Sequence, residues 1–324
     1  MTDVHDRPAL SVILVGAGDA RSIQKTIRHL AAQTIRDQVE VVVAVPDAEA
    51  LDLDALPTDG LQDVRAVSAG PLVSTARSRV PAIHAARADV VAFVEDHSFP
   101  PPEWAARLVE AHRDDYVAVA PVVTSANAGS ATGRANHYIE YGAWEFGDGT
   151  EPEHLPGHNG SYKRDVLLTY GDRLGEMLEA ESVIHWDLGA RGERLRLLRD
   201  LEIPHINFSQ VPATIRLRFH GGRAFAASRS RGWSAARRAL YALAAPAIPA
   251  LRLGRIVRAG WATPHRADVV RTLPALAGYL LLDGLGEMVG YASGAGSATA
   301  RLGAIEIQRD RFVRADEVGL LFDA

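Results

Sequence analysis

The sequence predicts an α/β protein: a mainly parallel, Rossmann-like sheet flanked by helices, followed by a helical C-terminal region. Three observations lead there. The continuous apolar runs Leu10–Val15, Val39–Val45 and Val90–Val94 read as strands buried on both faces. Helical periodicity or turn chemistry separates them, so strands and helices alternate as a layered parallel sheet requires. After about Val211 the chain changes to arginine-rich amphipathic segments broken by Pro246, Pro249 and Pro264.

In order, the first strand closes in the turn Gly16-Ala17-Gly18-Asp19. Ile23, Ile27, Leu30 and Ala31 then form the stripe of a helix from about Arg21 to Gln33. The second strand ends at Pro46-Asp47, and a short third strand is expected at Val64–Val67. Ser74 is a candidate N-cap for a helix reaching Ala88. The Val90–Val94 strand, a helix from Glu103 to about Asp114 and a strand from Tyr116 to Val123 follow. Arg134 to Phe146 reads as helix, and Gly147 to Gly160 as a loop long enough to suggest function. Asn159 to Asp165 leads into a short helix. Another helix carries Leu178, Glu181, Val183 and Leu188 up to Gly192, a good C′ glycine, before a last strand at Leu195–Leu198.

With 324 residues, 47% of them hydrophobic, the chain is able to bury a full core. It contains no cysteine, which excludes disulfides and thiolate metal sites. Met1–Pro8 is polar and acidic, unlike a secretory signal. The net charge of −5 hides a split: Ala213–Arg271 holds twelve arginines against one acid, Asp268. Such asymmetry points to an anionic partner. Nucleic acid is not expected, because no aromatic platforms interleave the arginines. An anionic membrane surface fits better, given the apolar Val269–Leu282 run continuing to Tyr291. That helix is marginal as a span, with Asp283, Glu287 and glycines interrupting it. It is expected either to lie in the interface or to pack against the core.

Chemistry concentrates where the Val90–Val94 strand runs into Glu95-Asp96-His97. Ligands of open α/β sheets bind beyond the carboxyl ends of the strands. Carboxylates with an imidazole there suit a divalent cation that holds a phosphate group; solvated surface charge is the competing reading. Glu95 and His97 share one side of an extended stretch. His205, just past the last strand, offers a second imidazole.

Several phrases occur in a fixed order. They are Ile27-Arg28-His29-Leu30-Ala31-Ala32-Gln33-Thr34, Glu40 with its valine run, and Ser74-Thr75-Ala76-Arg77-Ser78-Arg79. Glu95-Asp96-His97, Pro101-Pro102-Glu103-Trp104, Asn159-Gly160-Ser161-Tyr162-Lys163-Arg164 and Glu181 with Leu188-Gly189-Ala190-Arg191-Gly192 complete the series. Over residues 10–210 this series resembles family 2 glycosyltransferases of the GT-A fold. The resemblance implies transfer of a sugar from a nucleoside diphosphate-sugar to a glycan or lipid-linked acceptor, by an inverting reaction assisted by Mg²⁺ or Mn²⁺. It places Glu95, Asp96, His97 and His205 at the metal, with Glu95 and Asp96 also at the diphosphate. Gly16, Asp47 and Arg77 fall where the nucleotide is held, Glu181 where the base stands, and His158, Asn159 and His185 on the acceptor side. Glu176, Glu179 and Asp187 are rivals of Glu181.

The departures are specific. Val15-Gly16-Ala17-Gly18 and Val45-Pro46-Asp47 replace phrases that usually hold the base, histidine replaces the second aspartate of the metal motif, and Ser182 stands where a second acid is common. The implied organisation is a transferase domain over 1–210, a basic helical region over 211–303 and a tail over 304–324. The implied location is the cytoplasm, peripheral on the inner face of the membrane. The alternative is a degenerate transferase-like domain that binds a glycan or membrane without turnover. Two other readings fall on composition. Gly16-x-Gly18 lacks the third glycine of a dinucleotide fingerprint, where Arg21 stands instead. A nucleotidyltransferase needs a lysine-bearing phosphate loop, and the chain has only Lys25 and Lys163.

Overall fold

The computed structural model describes residues 7–72 and 74–322; the polar stretch Met1–Asp6 lies outside them. Two compact units emerge. The first comprises residues 1–123, 149–205 and 319–324, and the second residues 124–148 and 206–318. The division therefore falls at 205/206 rather than 210/211, with 124–148 grouped with the C-terminal helices.

The elements are β1 (Leu10–Val15), α1 (Ala20–Ala31), β2 (Val39–Val45), β3 (Asp63–Ser68), α2 (Thr75–Ala85), β4 (Val90–Val94), α3 (Trp104–Ala111) and β5 (Tyr116–Ser125). Then come α4 (Ala131–Glu140), α5 (Gly142–Glu145), β6 (Ser161–Lys163), α6 (Arg164–Leu168), α7 (Leu174–Met177), α8 (Glu181–Ala190) and β7 (Arg194–His205). The chain continues with α9 (Val211–Arg229), α10 (Ala235–Ala244), α11 (Ile248–Trp261), α12 (Arg266–Ser293) and α13 (Ala298–Ile307).

In the first unit seven strands form one sheet in the order β3-β2-β1-β4-β6-β5-β7. β1, β2, β3 and β4 run parallel, so their carboxyl ends share one edge. β6 inserts antiparallel between β4 and β5. Its three residues are too few to show a strand period, which is why Asn159–Asp165 reads only as a helix approach. The apolar runs are buried as expected: every residue of β2 is covered.

The polar residues of the ordered phrases turn out to be fasteners. Gln33 is fully buried; its Nε2 donates to Pro101 O at 2.8 Å, while Oε1 accepts from Ala105 N, tying α1 to α3. Glu40, also fully buried, accepts from the Ser11 hydroxyl, Arg65 and Arg87. Burial alone would raise its carboxyl, but these donors hold it below the usual range. Gly192 ends α8 at φ +83°, the C′ conformation expected of it.

In the second unit α12 is an unbroken helix of 28 residues. Its glycines do not interrupt it; Gly286 and Gly290 are where α9 crosses, and Gly284 is where Pro249 packs. A Cβ on Gly286 would stand 2.1 Å from Phe219 O, and one on Gly290 2.4 Å from Arg223 O. Asp283 and Glu287 are buried as well, with Arg252 Nη1 3.0 Å from Asp283 Oδ2. Val269, Leu276, Tyr279 and Leu280 pack with Tyr138, Ile139 and Phe146. One face of the helix is thus the core of this unit, which decides between packing and lying free on lipid. Gly286→Ala should destabilise the protein by about 2 kcal/mol through overpacking. Gly278→Ala, where a Cβ meets nothing within 4 Å, should stabilise by about 0.5–1 kcal/mol. Urea unfolding of the two variants checks the contrast.

Candidate active site

β4 delivers Glu95, Asp96 and His97 to the carboxyl edge of the parallel strands. The turn they form is held from three sides. Ser98 N donates to Glu95 O at 3.0 Å, and Thr26 Oγ1 of α1 donates to Ser98 O at 3.2 Å. Ser98 also bridges His205 at the end of β7, where Phe99 N donates to Pro204 O at 2.9 Å. The backbone ladder therefore brings together two histidines 108 residues apart in sequence. Their Nε2 atoms are 3.0 Å apart, and Glu95 Oε2 lies 3.6 Å from His97 Nε2 and 3.3 Å from His205 Nε2. Both imidazoles are buried, 3% and 2% exposed.

Glu95, His97 and His205 form a set that can hold a metal ion. Two ligands in cis positions, each about 2.1 Å from an octahedral cation, sit about 3 Å apart; the spacings here fit. Two imidazoles with one carboxylate form a borderline donor set, which suits a first-row divalent ion such as Mn²⁺ better than the oxygen-preferring Mg²⁺. Asp96 is not in the set. Its Oδ1 lies 2.6 Å from His97 Nδ1 on the far side of the ring. By accepting the Nδ1 proton it leaves Nε2 with its lone pair toward Glu95 and His205. Asp96 was expected at the metal and the diphosphate; its Oδ1 lies behind the ring, outside the set of three. Burial would raise the Glu95 carboxyl, but His97, His158 and His205 hold it well below the usual carboxylate range.

A second cluster adjoins the first. Glu181 opens α8, and a Cβ on Gly157 would stand 2.3 Å from its Cγ, so the 157–159 turn needs glycine to pass it. His158 Nδ1 lies 2.9 Å from Glu181 Oε1 and 3.9 Å from Glu95 Oε1. Arg79 Nη1 is 3.6 Å from Glu181 Oε1. Asn159 Nδ2 donates to Glu95 Oε2 at 3.1 Å. Burial would lower His158, but Glu181 and Glu95 raise it to about 9. Burial would raise Glu181, but His158 and Arg79 bring it to about 2. Glu181 Oε1, His158 Nδ1, Arg79 Nη1 and Asn159 Oδ1 are all buried without hydrogen-bond geometry to a partner. Glu181 Oε1 and His158 Nδ1 face each other as an ion pair, which leaves Arg79 Nη1 and Asn159 Oδ1 as the atoms that call for an explanation.

Other expected positions fall differently. His185 is fully buried; it accepts from Leu155 N at 3.3 Å on Nδ1 and meets Tyr162 OH at 2.9 Å on Nε2. With both nitrogens spent, it frames the 155–162 loop rather than facing an acceptor, which corrects that expectation. Arg77 is half-exposed and paired with Glu179 at 2.7 Å. Arg79, two residues on, is the arginine of the site, 3% exposed and 4.7 Å over the Phe93 ring. Its signal was legible: Ala76, Arg79 and Ile83 share the buried stripe of α2. Gly16 ends β1, with its N–H bonded to Ala44 O at 3.0 Å. Asp47 ends β2 and accepts from Glu49 N at 3.1 Å. Both lie on the same sheet edge as Glu95. Glu179 is engaged by Arg77, and Asp187 accepts from Tyr170 OH at 2.7 Å.

Buried neutral imidazoles also set a pH limit. Burial lowers His185 to about 3 and His112 to about 4. Because both folded values lie below the unfolded one, protons favour the unfolded chain as pH falls through 6.5. His158, raised in the fold, already contributes fully below 6.5. Going from pH 6.5 to 5, urea unfolding should therefore lose about 3 kcal/mol.

Residues 11–171 match glycosyl transferase family 2. The chain belongs to this family. The matched segment of this family 2 glycosyltransferase contains Glu95, His97, His158 and Asn159, while Glu181 and His205 lie beyond it. Among solved structures, the mannosyltransferase PcManGT from Pyrobaculum calidifontis, in complex with GDP-Man and Mn²⁺, aligns with TM-score 0.51 at 17% identity. The alignment covers 94% of this chain and 88% of that one, and it shows the GT-A fold. S. aureus TarS aligns at TM-score 0.43 and 17% identity, over 86% of this chain and 54% of that one. TarS 1–349 in complex with UDP gives 0.41 and 17%, over 86% and 90%. No curated protein matches the chain.

Proposed function

We propose that this glycosyltransferase moves a sugar, with inversion, from a nucleoside diphosphate-sugar to a hydroxyl of a glycan or lipid-linked acceptor, assisted by Mg²⁺ or Mn²⁺. The observation that carries this reading is the convergence of two buried imidazoles and Glu95 within a few ångströms of a buried, separately paired glutamate, Glu181. Glu95, His97 and His205 would hold the cation, which as a Lewis acid stabilises charge growing on the departing diphosphate. Asp96 keeps His97 in the required tautomer. Gly16 and Asp47, on the neighbouring strand ends, bound the space for the nucleotide.

Glu181 is the base. It is anionic at neutral pH and accepts the acceptor's hydroxyl proton as that oxygen attacks the anomeric carbon. In its resting state His158 and Arg79 make it a weak base. An acceptor that displaces His158 removes the contact that lowers the carboxyl, and burial then raises its proton affinity. Asn159 steadies Glu95, and His158 meets the acceptor. We place the enzyme in the cytoplasm at the inner face of the membrane.

The stereochemical test is direct. NMR of product formed from an α-linked donor should show a β-linkage; retention would remove the single-base mechanism. A chain that binds donor but yields neither transfer nor hydrolysis would be the degenerate binder instead.

A further inference from the structure

The second unit carries a surface that the transfer chemistry does not use. α10 buries none of its residues, and α11 buries only Pro249 and Gly260. Leu240, Leu243 and Leu251 stand 63%, 82% and 62% exposed. Together with Ala247 and Gly254 they recur at spacings of three and four, so the stripe runs through both helices and the turn between them. From Ala239 to Leu251 no side chain is charged. On α12, Leu281 and Leu285 are exposed as well.

The ends of the stripe are chemically different. Arg237 and Arg238 precede it, and Arg252, Arg255 and Arg258 follow. Beside Arg237 sits an aromatic cluster: Trp233 stacks on Tyr291 at 5.9 Å, and the Arg237 guanidinium lies 3.9 Å over the Trp233 ring. Trp261 is exposed at the other end, with Arg266 3.9 Å over its ring. Leucines between Arg–Trp–Tyr flanks form the pattern of an element lying at a membrane interface, apolar side down and cations at the headgroups.

We propose that the α10–α11 pair docks in the plane of an anionic lipid bilayer, with Leu240, Leu243 and Leu251 inserted and the exposed Arg237, Arg255 and Arg258 on lipid phosphates. Ala235–Trp261 is long and apolar enough by length and composition to cross a bilayer, but its charge pattern favours lying in the plane. Thirteen uncharged residues reach about 20 Å as helix, short of the hydrocarbon core of about 30 Å. Arginines bound the run on both sides, and Pro246 and Pro249 interrupt it. Charge decides against a second copy of the chain, because a self-paired face would set arginine against arginine. Nucleic acid would leave the leucines in water.

The test is flotation of the full-length protein with vesicles of phosphatidylglycerol or of phosphatidylcholine. The protein should float with the anionic vesicles and not with the zwitterionic ones, and binding should weaken as salt is raised. Leu240→Asp/Leu243→Asp/Leu251→Asp should weaken flotation at least tenfold with an unchanged thermal midpoint, since all three side chains are exposed. Arg255→Glu/Arg258→Glu should do likewise and abolish the salt dependence. Absence of flotation, or flotation unaffected by the leucine substitutions, would overturn the proposal. So would dimerisation or DNA binding that the same substitutions remove in place of lipid binding. Nucleotide and Mn²⁺ binding by the leucine variant reads the transferase site separately, so failure of one proposal does not mimic failure of the other.

Discussion

Glu181→Gln is expected to lower kcat by about a thousandfold, within the range of about 10²–10⁴ for losing a general base. Glutamine keeps the shape of the side chain at the start of α8 and remains beside Gly157, so the fold should survive. His158 loses the carboxylate that raises it most and keeps only the weaker pull of Glu95. Because Glu181 does not belong to the Glu95–His97–His205 set, Mn²⁺-dependent donor binding should change by less than about threefold. Steady-state kinetics with calorimetry on the same sample separates the two effects. A variant that keeps full kcat would take the base role from Glu181, and one that also loses donor binding would make Glu181 part of the donor site.

His205→Ala should act in the opposite manner. It removes one of three donor atoms from the cation set and leaves Glu95 and His97 facing a cavity. We expect Mn²⁺ affinity to fall by at least about 100-fold, more than the 10–100-fold typical of losing a supporting group behind a ligand. Donor binding should fall with it. Asp96→Asn, by contrast, removes only the support behind His97 and should fall within that smaller range. The ordering His205→Ala worse than Asp96→Asn separates ligand from supporting residue; equal effects would return Asp96 to the metal.

How far these assignments were legible in the sequence depends on the range of the interaction. β1, β2 and β4 were readable because a strand buried on both faces must be apolar throughout, which is a local property. The Glu95–His97 pairing was expected from the alternation of an extended stretch, but the two meet in a turn closed by Ser98 N on Glu95 O, so the residues were right and the geometry was not. His205 was reachable by type and place, beyond the last strand, but its 3.0 Å approach to His97 depends on the Ser98–His205 bridge, a pairing across 108 residues. The place of Asp96 was hidden for the same reason: sequence shows a carboxylate beside an imidazole, but not which side of the ring it takes.

Arg79 shows a different obstacle. Of two arginines two residues apart on one helix, only the buried stripe tells which faces inward, and an arginine on an apolar stripe goes against composition. His185 reads as a helix histidine one turn from Glu181; that both its nitrogens are spent on Leu155 and Tyr162 is visible only once the 147–160 loop is folded over it. The glycines of α12 read as interruptions because helix propensity penalises them, whereas close approach of α9 requires Gly286 and Gly290. In each case the tertiary contact reverses the local inference.

The central claim is that Glu95, His97 and His205 hold a divalent cation that anchors a sugar nucleotide. Calorimetric titration of the wild-type protein with a panel of UDP-, GDP- and dTDP-sugars, in Mn²⁺ and again in EDTA, tests it most directly. At least one donor should bind in Mn²⁺ with a Kd between about 1 μM and 1 mM, the usual range for enzyme substrates, and that binding should vanish in EDTA. Donor binding of equal strength in EDTA, or none in either condition, would contradict it.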